Sequence, residues 1–368
     1  MPSTPLRSRF SRSWPTALFI GMGLSAGCGW SETGPGWSEF DGNSEGDTGA
    51  GRRLSSTILS SVERAPDGSW VAVGLGWTID PATWEYRDYP GLILHSLDGR
   101  NWGIRRLEDE VIAWDVVHFD GRWLVLMGDS GPGVLETVLL SSQDASDWEA
   151  VSTFAGQMTQ MEAGTDTLVA AGVNAWVGEL VWSADGANWS PANGDLDGSY
   201  GKGLVYGDGF VTAAGPMLRH SVDGRAWTSI HLGKDLGFFE DARVELVSWN
   251  GTEFVCFVSD SSTDGGNSIL RSSNGRDWTS EESSEWLGVE AIQWSGDAWF
   301  GVRQSSATSS SILRSEDLLS WTTVFEYDGT WLKDIELGPE LWVASGDGIV
   351  VSEDWGVTWE VVLQPGVY

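Results

Sequence analysis

Cysteine is almost absent from this chain of 368 residues, which contains two. Cys28 lies near the start, and Cys256 lies in the distant apolar run Val255-Cys256-Phe257-Val258. Two such isolated cysteines form neither a Cys-x-x-Cys metal motif nor a disulfide framework. We therefore predict no metal site, and we interpret Cys256 as a small buried hydrophobe.

Positive charge is also scarce, with 21 Lys and Arg against 53 Asp and Glu and a net charge of −32. A nucleic acid backbone or an anionic lipid surface requires a partner of the opposite sign, so both are excluded as partners. The four histidines are scattered without a His-Glu-x-x-His motif, and we interpret His95 and His220 as exposed strand residues. No nucleotide or redox signature occurs, so we predict no cofactor.

Long apolar runs are missing, and the clearest short one lies near the N-terminus. The segment from Trp14 to Leu24 follows a basic start and is too short to span a membrane. Small residues then lead to Cys28, and the sequence Leu24-Ser25-Ala26-Gly27-Cys28 resembles a bacterial lipobox. That resemblance implies that Cys28 is lipidated and becomes the mature N-terminus. An ordinary secretory signal that is cleaved nearby is the alternative.

These features predict three segments: a lipoprotein signal peptide at residues 1–27, a flexible acidic and Gly/Ser-rich tether at residues 28–54, and a folded domain at residues 55–368. Removal of residues 1–27 takes away three arginines and no acid, so the net charge falls from −32 to −35. We expect an exported protein that is lipid-anchored to the bacterial cell envelope. Gly29 after the cysteine favours the outer membrane.

A short motif recurs seven times: a serine, an Asp or Asn two positions later, usually a glycine, and a closing tryptophan. The tryptophans lie 38 to 51 residues apart, which is the period of propellers and solenoids. Runs of β-forming residues separated by turns such as Asn250-Gly251 indicate four strands per repeat. We predict an all-β fold, a single seven-bladed β-propeller of four-stranded antiparallel blades, with blade boundaries near residues 108, 154, 195, 236, 283 and 326.

The motif residues suit a tight turn. An Asp or Asn side chain can accept backbone N–H groups two residues later, and glycine supplies positive φ. The tryptophan begins the outer strand and can fill the wedge between neighbouring sheets. The turn acid or amide and the tryptophan of the seven copies are Asp98 and Trp102, Asp144 and Trp148, Asp185 and Trp189, Asp223 and Trp227, Asn274 and Trp278, Asp317 and Trp321, and Asp354 and Trp359.

The motif resembles the Asp-box (BNR) repeat of the sialidase-like superfamily. Only the last copy, Ser352-Glu353-Asp354-Trp355-Gly356-Val357-Thr358-Trp359, has the full spacing of that repeat. The resemblance implies that the motif residues are structural and lie away from the functional face.

The loops of a propeller alternate between two faces. The loops between strands two and three and the loops between blades share one face, here called the loop face, where ligands usually bind in this fold. Several aromatic residues fall in these loops beside carboxylates, a combination that suits sugar or peptide recognition. The predicted ligand-binding residues are Trp77, Trp84, Tyr86, Trp176, Tyr200, Trp286 and Trp331. The alternative is that several of these rings pack under their own loops.

The best-known enzymes with this repeat are sialidases, which use an arginine triad and an Arg-Ile-Pro motif. No Arg-Ile-Pro occurs here, and few arginines fall in the loop-face segments. We therefore expect no catalytic residues and a monomeric, non-catalytic binding or assembly protein, whose partner is a glycan or an envelope protein or peptide. A sialidase-like or other glycoside hydrolase is the alternative, because carboxylates are plentiful.

Overall fold

The computed structural model describes residues 54, 56–77, 89–129, 136–174, 177–194, 201–239, 241–260 and 267–364. These residues form twenty-eight strands and one short helix. The strands group into seven four-stranded antiparallel sheets, and within each sheet they follow one another in sequence order. The predicted all-β, seven-bladed propeller is therefore confirmed. Cys28, the signal segment and nearly all of the tether lie outside the described residues.

Each blade takes four consecutive strands. Blade 1 contains β1 (Ser56–Arg64), β2 (Trp70–Trp77), β3 (Gly91–Ser96) and β4 (Gly103–Glu108). Blade 2 contains β5 (Val111–Phe119), β6 (Arg122–Asp129), β7 (Glu136–Ser142) and β8 (Glu149–Ala155). Blade 3 contains β9 (Gln157–Ala163), β10 (Leu168–Asn174), β11 (Val177–Ser183) and β12 (Trp189–Pro191). Blade 4 contains β13 (Gly201–Gly207), β14 (Gly209–Ala214), β15 (Met217–Ser221) and β16 (Thr228–His231).

The remaining three blades follow the same order. Blade 5 contains β17 (Arg243–Trp249), β18 (Phe254–Ser259), β19 (Ser268–Ser272) and β20 (Thr279–Glu282). Blade 6 contains β21 (Val289–Trp294), β22 (Trp299–Ser306), β23 (Ser309–Ser315) and β24 (Thr322–Tyr327). Blade 7 contains β25 (Leu332–Leu337), β26 (Trp342–Gly346), β27 (Ile349–Ser352) and β28 (Glu360–Leu363). The helix α1 (Leu232–Leu236) lies between blades 4 and 5, and no helix of the described part is long and apolar enough to cross a membrane.

The hydrophobic core lies between the blades. The second strands are almost entirely buried, as in β18, whereas fourth strands such as β20 are exposed along their length. Cys256 on β18 is fully buried beside Val247 and Phe254, in agreement with its interpretation as a small hydrophobe. Burial raises the pKa of its thiol well above the ordinary value.

The first strands are innermost, because those of neighbouring blades contact each other around the whole ring. Each first strand carries a bulge where one extra residue faces the second strand. The bulged residues are Ser60, Trp114, Thr159, Lys202, Glu245, Glu290 and Lys333. Opposite one bulge stands Gly172, where an added Cβ would lie 2.1 Å from the carbonyl oxygen of Gln157. The second strand therefore needs a glycine there.

The ring closes by contact between complete blades, because the last repeat contains its own outer strand. All four strands of blade 7 come from the C-terminal part of the chain, and β25 packs on β1. The backbone N–H of Val62 donates to Oδ2 of the buried Asp334 at 2.9 Å, and the Thr57 hydroxyl donates to the Asp347 carbonyl at 3.4 Å. The closure thus combines apolar packing with buried hydrogen bonds.

In all seven repeat turns the serine hydroxyl donates to the turn Asp or Asn, and the fullest hydrogen-bond pattern is seen at Asp185. Its Oδ1 accepts from the backbone N–H groups of Ala187 and Asn188 at 2.9 and 2.8 Å, and the Ser183 hydroxyl also donates to it. These hydrogen bonds stabilise the ionised carboxylate, and the backbone N–H of Asn188 is the largest cause of the lowered pKa of Asp185. The indole N–H of Trp189 donates to the carbonyl of Gly186 at 3.1 Å.

The tryptophans are less deeply buried than the sequence predicts. Trp227 is 5% exposed, whereas the other six repeat-turn tryptophans are half-buried. The wedge between blades is instead entered by the residue that follows the turn acid, which has a positive φ. At two turns it is a fully buried side chain, Ala145 or Leu318. At Gly224 an added Cβ would lie 2.5 Å from Val169 of the preceding blade.

The prediction that His95 and His220 are exposed is wrong. Both side chains are buried, because they precede the motif serine where the next blade's repeat turn packs. Nδ1 of His220 accepts from Nε of Arg276 in blade 5 at 3.2 Å. Burial, followed by the nearby Arg276 charge, lowers the pKa of His220.

Candidate functional site

Strand direction decides which residues meet on the loop face. First and third strands begin there, and second and fourth strands end there, so the seven repeat turns lie on the opposite face, here called the turn face. Of the predicted ligand-binding aromatics, Trp84, Tyr86, Trp176 and Tyr200 lie outside the described residues. The structure places the remaining three.

Trp77 and Trp331 are half-buried on the loop face. Trp77 is the last residue of β2. Trp331 precedes β25, and the Lys333 ammonium lies 5.4 Å from its ring centroid, which is cation–π distance. The Trp331 carbonyl accepts from the N–H of Asp347 at 2.9 Å. Both rings keep some accessible surface.

The prediction that Trp286 binds a ligand is corrected by its burial. The side chain is 2% exposed and stacks on Phe257, with ring centroids 4.8 Å apart and planes 19° apart. Two backbone hydrogen bonds, from Leu287 to Ser284 and from Val289 to Trp286, form a tight turn around it. This turn directs the indole into the core and leaves Leu287 outside.

The loop face has exposed apolar side chains that the sequence analysis did not select. They are 45 to 55% exposed and come from four different blades or blade connections: Tyr89, Val177, Phe239 and Leu287. Their position in loops beside turn residues was the available signal. Val177 and Leu287 are aliphatic, so they fall outside the predicted set of aromatic residues, which also omits Tyr89 and Phe239.

Carboxylates share the loop face with these apolar side chains. The exposed acids of the described loop-face segments are Asp109, Glu110, Asp235, Asp241, Glu281, Glu282, Glu285 and Asp328. Lys234 and Arg243 are exposed basic side chains of the same face. The described loop face is therefore predominantly acidic and has separate exposed apolar side chains. This suits a partner that offers hydrogen-bond donors or positive charge beside apolar surface.

Burial affects the pKa values of the Asp347 and Glu179 carboxyl groups. Burial raises the pKa of Asp347, although the backbone N–H of Thr330 and the Tyr327 hydroxyl oppose that effect by hydrogen bonding. Burial also raises the pKa of Glu179. Asp347 belongs to blade 7 and Glu179 to blade 3. They therefore come from different blades.

An ion pair lies at two neighbouring bulges. The Lys333 ammonium is 3.4 Å from Oε1 of Glu290, and both side chains are largely buried. This pair joins blades 6 and 7 near the axis. Its two charges are matched, which offsets part of the cost of their burial.

Arginines are dispersed across the described residues and paired with acids near them. Arg106 contacts Glu108 at 3.0 Å in blade 1, Arg271 contacts Glu253 at 2.7 Å in blade 5, and Arg314 contacts Glu316 at 3.0 Å in blade 6. Arg106 and Arg271 also donate to backbone carbonyls of the next blade, those of Trp148 at 3.4 Å and Asp317 at 2.7 Å. No group of three or more His, Cys, Asp or Glu within the described ranges could hold a metal ion.

Comparison with known proteins finds no matching family model and no matching curated protein. Among solved structures, the AtxE2 isopeptidase with bound astexin3 is 8% identical, with 85% of this chain and 53% of that chain covered and a TM-score of 0.41. This chain thus spans about half the length of the isopeptidase. A chain of a mitotic checkpoint complex is 12% identical, with 80% and 90% covered and a TM-score of 0.49. A proposed glycoside hydrolase from Bacteroides ovatus is 11% identical, with 60% and 87% covered and a TM-score of 0.32. At such identities the similarity is one of fold alone.

Proposed function

We propose that this protein is an Asp-box propeller that acts as a non-catalytic binding or assembly protein on the bacterial cell envelope. Cys28 carries the lipid anchor, and residues 28–54 tether the propeller to the membrane. The loop face binds a glycan or an envelope protein or peptide. The propeller supplies a rigid support, on which loop residues recognise the partner.

The observation that carries this proposal is the composition of the loop face. Tyr89, Val177, Phe239 and Leu287 are each about half exposed, and exposed acids lie on the same face. Burial of exposed apolar surface by a partner is favourable, and carboxylates on the same face select what that partner offers.

An array of glycans and envelope peptides, combined with turnover of fluorogenic glycosides, tests the proposal on the purified chain. We expect specific binding to at least one ligand class and no glycoside turnover above the buffer rate. Turnover that is lost when a loop-face Glu or Asp is substituted would assign the protein to the glycoside hydrolases. Absence of binding to every glycan and peptide would also contradict the proposal.

A further inference from the structure

The repeat turn of blade 7 differs from the other six by one additional residue, Trp355. The remaining contacts of the turn are retained: Oδ1 of Asp354 accepts from the Ser352 hydroxyl at 2.9 Å and from the N–H of Thr358 at 2.7 Å. Trp359 still donates its indole N–H to the Gly356 carbonyl at 3.2 Å. Trp355 is therefore not needed to form the turn.

Trp355 occupies an unfavourable position. Its φ is +62°, in the left-handed region that bulky residues rarely adopt, and its side chain is 63% exposed. The indole thus combines backbone strain with exposure of a large apolar surface. Such a combination at one residue is a reason to look for a ligand beside it.

The Trp355 ring forms one wall of a cleft on the turn face between blades 6 and 7. The cleft has a volume of about 210 Å³ and is lined by Ser295, Asp297, Phe300, Arg314, Trp342 and Trp355. Trp342 lies edge-on to Trp355, with centroids 6.1 Å apart and planes at 87°. This volume is below the roughly 300–1,000 Å³ of pockets for drug-sized ligands. It therefore suits a single small ring.

The charged groups of the cleft restrict the class of ligand. Arg314 donates to Oε1 of Glu316 at 3.0 Å, and its side chain is 37% exposed, so it keeps accessible donors. Oδ1 of Asp297 accepts from the Ser295 hydroxyl at 2.6 Å, which leaves its other oxygen as an acceptor. An anionic ligand would be repelled by the carboxylates of Asp297 and Glu316, and a cationic ligand would be repelled by the guanidinium of Arg314.

A neutral ring with hydroxyl groups fits both charged groups, because a hydroxyl donates to a carboxylate and accepts from a guanidinium. The apolar C–H face of such a ring can cover an exposed indole. We propose that this cleft is a second binding site, separate from the loop face, that takes one neutral pyranose residue. The sugar stacks on Trp355 and hydrogen-bonds to Arg314 and Asp297.

Saturation-transfer NMR on the full-length chain in detergent micelles tests the site with methyl pyranosides of neutral sugars. An anionic comparator (methyl glucuronide) and a cationic one (methyl glucosaminide) are measured in parallel. At least one neutral pyranoside should bind more tightly than both charged comparators. Failure of every neutral pyranoside, or tighter binding of a charged one, would overturn the proposal.

The variant Trp355→Asn isolates the ring, because asparagine tolerates the left-handed backbone. We expect it to weaken pyranoside binding by about tenfold or more without lowering Tm. The matched control is Val357→Ala, which removes another exposed apolar side chain from the same turn and should leave binding unchanged. Wild-type affinity in a folded Trp355→Asn variant would contradict the assignment.

A second variant keeps the proposal testable if Trp355→Asn folds poorly. Arg314→Gln removes the charge and most donors of the guanidinium, so it should weaken pyranoside binding several-fold, and unchanged binding would contradict the role of Arg314. The loop-face variant Phe239→Ala separates the two proposals. It should weaken the binding of any loop-face ligand and leave pyranoside binding unchanged. The two proposed sites are therefore tested independently.

Discussion

At the scale of single residues, each repeat turn joins a carboxylate that accepts hydrogen bonds to a tryptophan that packs. Asp223 accepts from the N–H of Arg225 at 3.0 Å and from the Ser221 hydroxyl at 3.3 Å, while remaining exposed to solvent. Trp227 is 5% exposed and contacts Phe210, with centroids 6.3 Å apart. The two side chains therefore stabilise the turn by different means and by different amounts.

Trp227→Ala should lower the free energy of unfolding by about 3–5 kcal/mol, because a large buried aromatic is lost. Asp223→Ala should lower the free energy of unfolding by about 1 kcal/mol, because the hydrogen bonds of the carboxylate are lost. The backbone N–H of Arg225 is the largest cause of the lowered pKa of Asp223, whose ordinary value is 3.8. The contribution of Asp223 is therefore present above pH 3.8 and is lost as the pH falls through the lowered, folded-state pKa.

Urea denaturation of the wild type and both variants at pH 7 measures these losses. The wild type and Asp223→Ala are measured again at low pH. A larger loss for Asp223→Ala than for Trp227→Ala would reverse the assigned roles. A loss for Asp223→Ala that stays constant down to pH 2 would show that the charge of the carboxylate is irrelevant.

Residue-level predictions succeed where the determining contacts are local. The hydrogen bonds of a repeat turn lie within about four residues, so the types of residue at Ser221, Asp223 and Gly224 indicate them. The direction of Trp286 depends on a distant partner, Phe257, and on a turn that the sequence does not mark. Sequence reasoning therefore selected Trp286 and missed its exposed neighbour Leu287.

At the scale of elements, the repeat turn packs each blade against the preceding one. Gly224 has φ +77°, and an added Cβ would lie 2.5 Å from Val169 of blade 3. Gly121, in the turn between β5 and β6, has φ +76° and nothing within 4 Å of an added Cβ. The two glycines thus share a backbone conformation and differ in packing.

Gly224→Ala and Gly121→Ala form a matched pair. Both should lose about 1–2 kcal/mol of unfolding free energy from left-handed alanine, and Gly224→Ala should lose roughly 1–3 kcal/mol more through overpacking. Thermal or urea denaturation gives both values. Equal losses would mean that the repeat turn is not a close-packed contact between blades.

The strands themselves were largely predictable. Blade ends predicted near residues 108, 154, 283 and 326 lie within one residue of the last strand ends at Glu108, Ala155, Glu282 and Tyr327. Those predicted near residues 195 and 236 lie four and five residues beyond the strand ends at Pro191 and His231. Alternating β-forming runs and Asn-Gly or Asp-Gly turns carry this information in short windows. The bulges were not predicted, because they arise from packing of the first strands around the axis. The five-residue helix α1 was not predicted, because it arises from packing of one connection between blades.

At the scale of the whole molecule, the ring fixes which side chains share a face. Blade 7 meets blade 1 through β25 and β1, with Asp334 accepting from Val62, so the first and last repeats are neighbours although they are far apart in sequence. The ring places Tyr89, Val177, Phe239 and Leu287 on the loop face, and Leu97 and Val222 on the turn face. The seven-fold repeat predicted this division, but not which loop side chains are exposed.

The loop face is proposed to hold the ligand. The most direct measurement compares two double variants that each remove two exposed apolar side chains, Phe239→Ala with Leu287→Ala on the loop face and Leu97→Ala with Val222→Ala on the turn face. For the best ligand from the array, the loop-face variant should raise Kd by about tenfold or more, equal to about 1.4 kcal/mol, and the turn-face variant should leave Kd unchanged. Loss of binding in the turn-face variant alone, or wild-type affinity in the loop-face variant, would contradict the account.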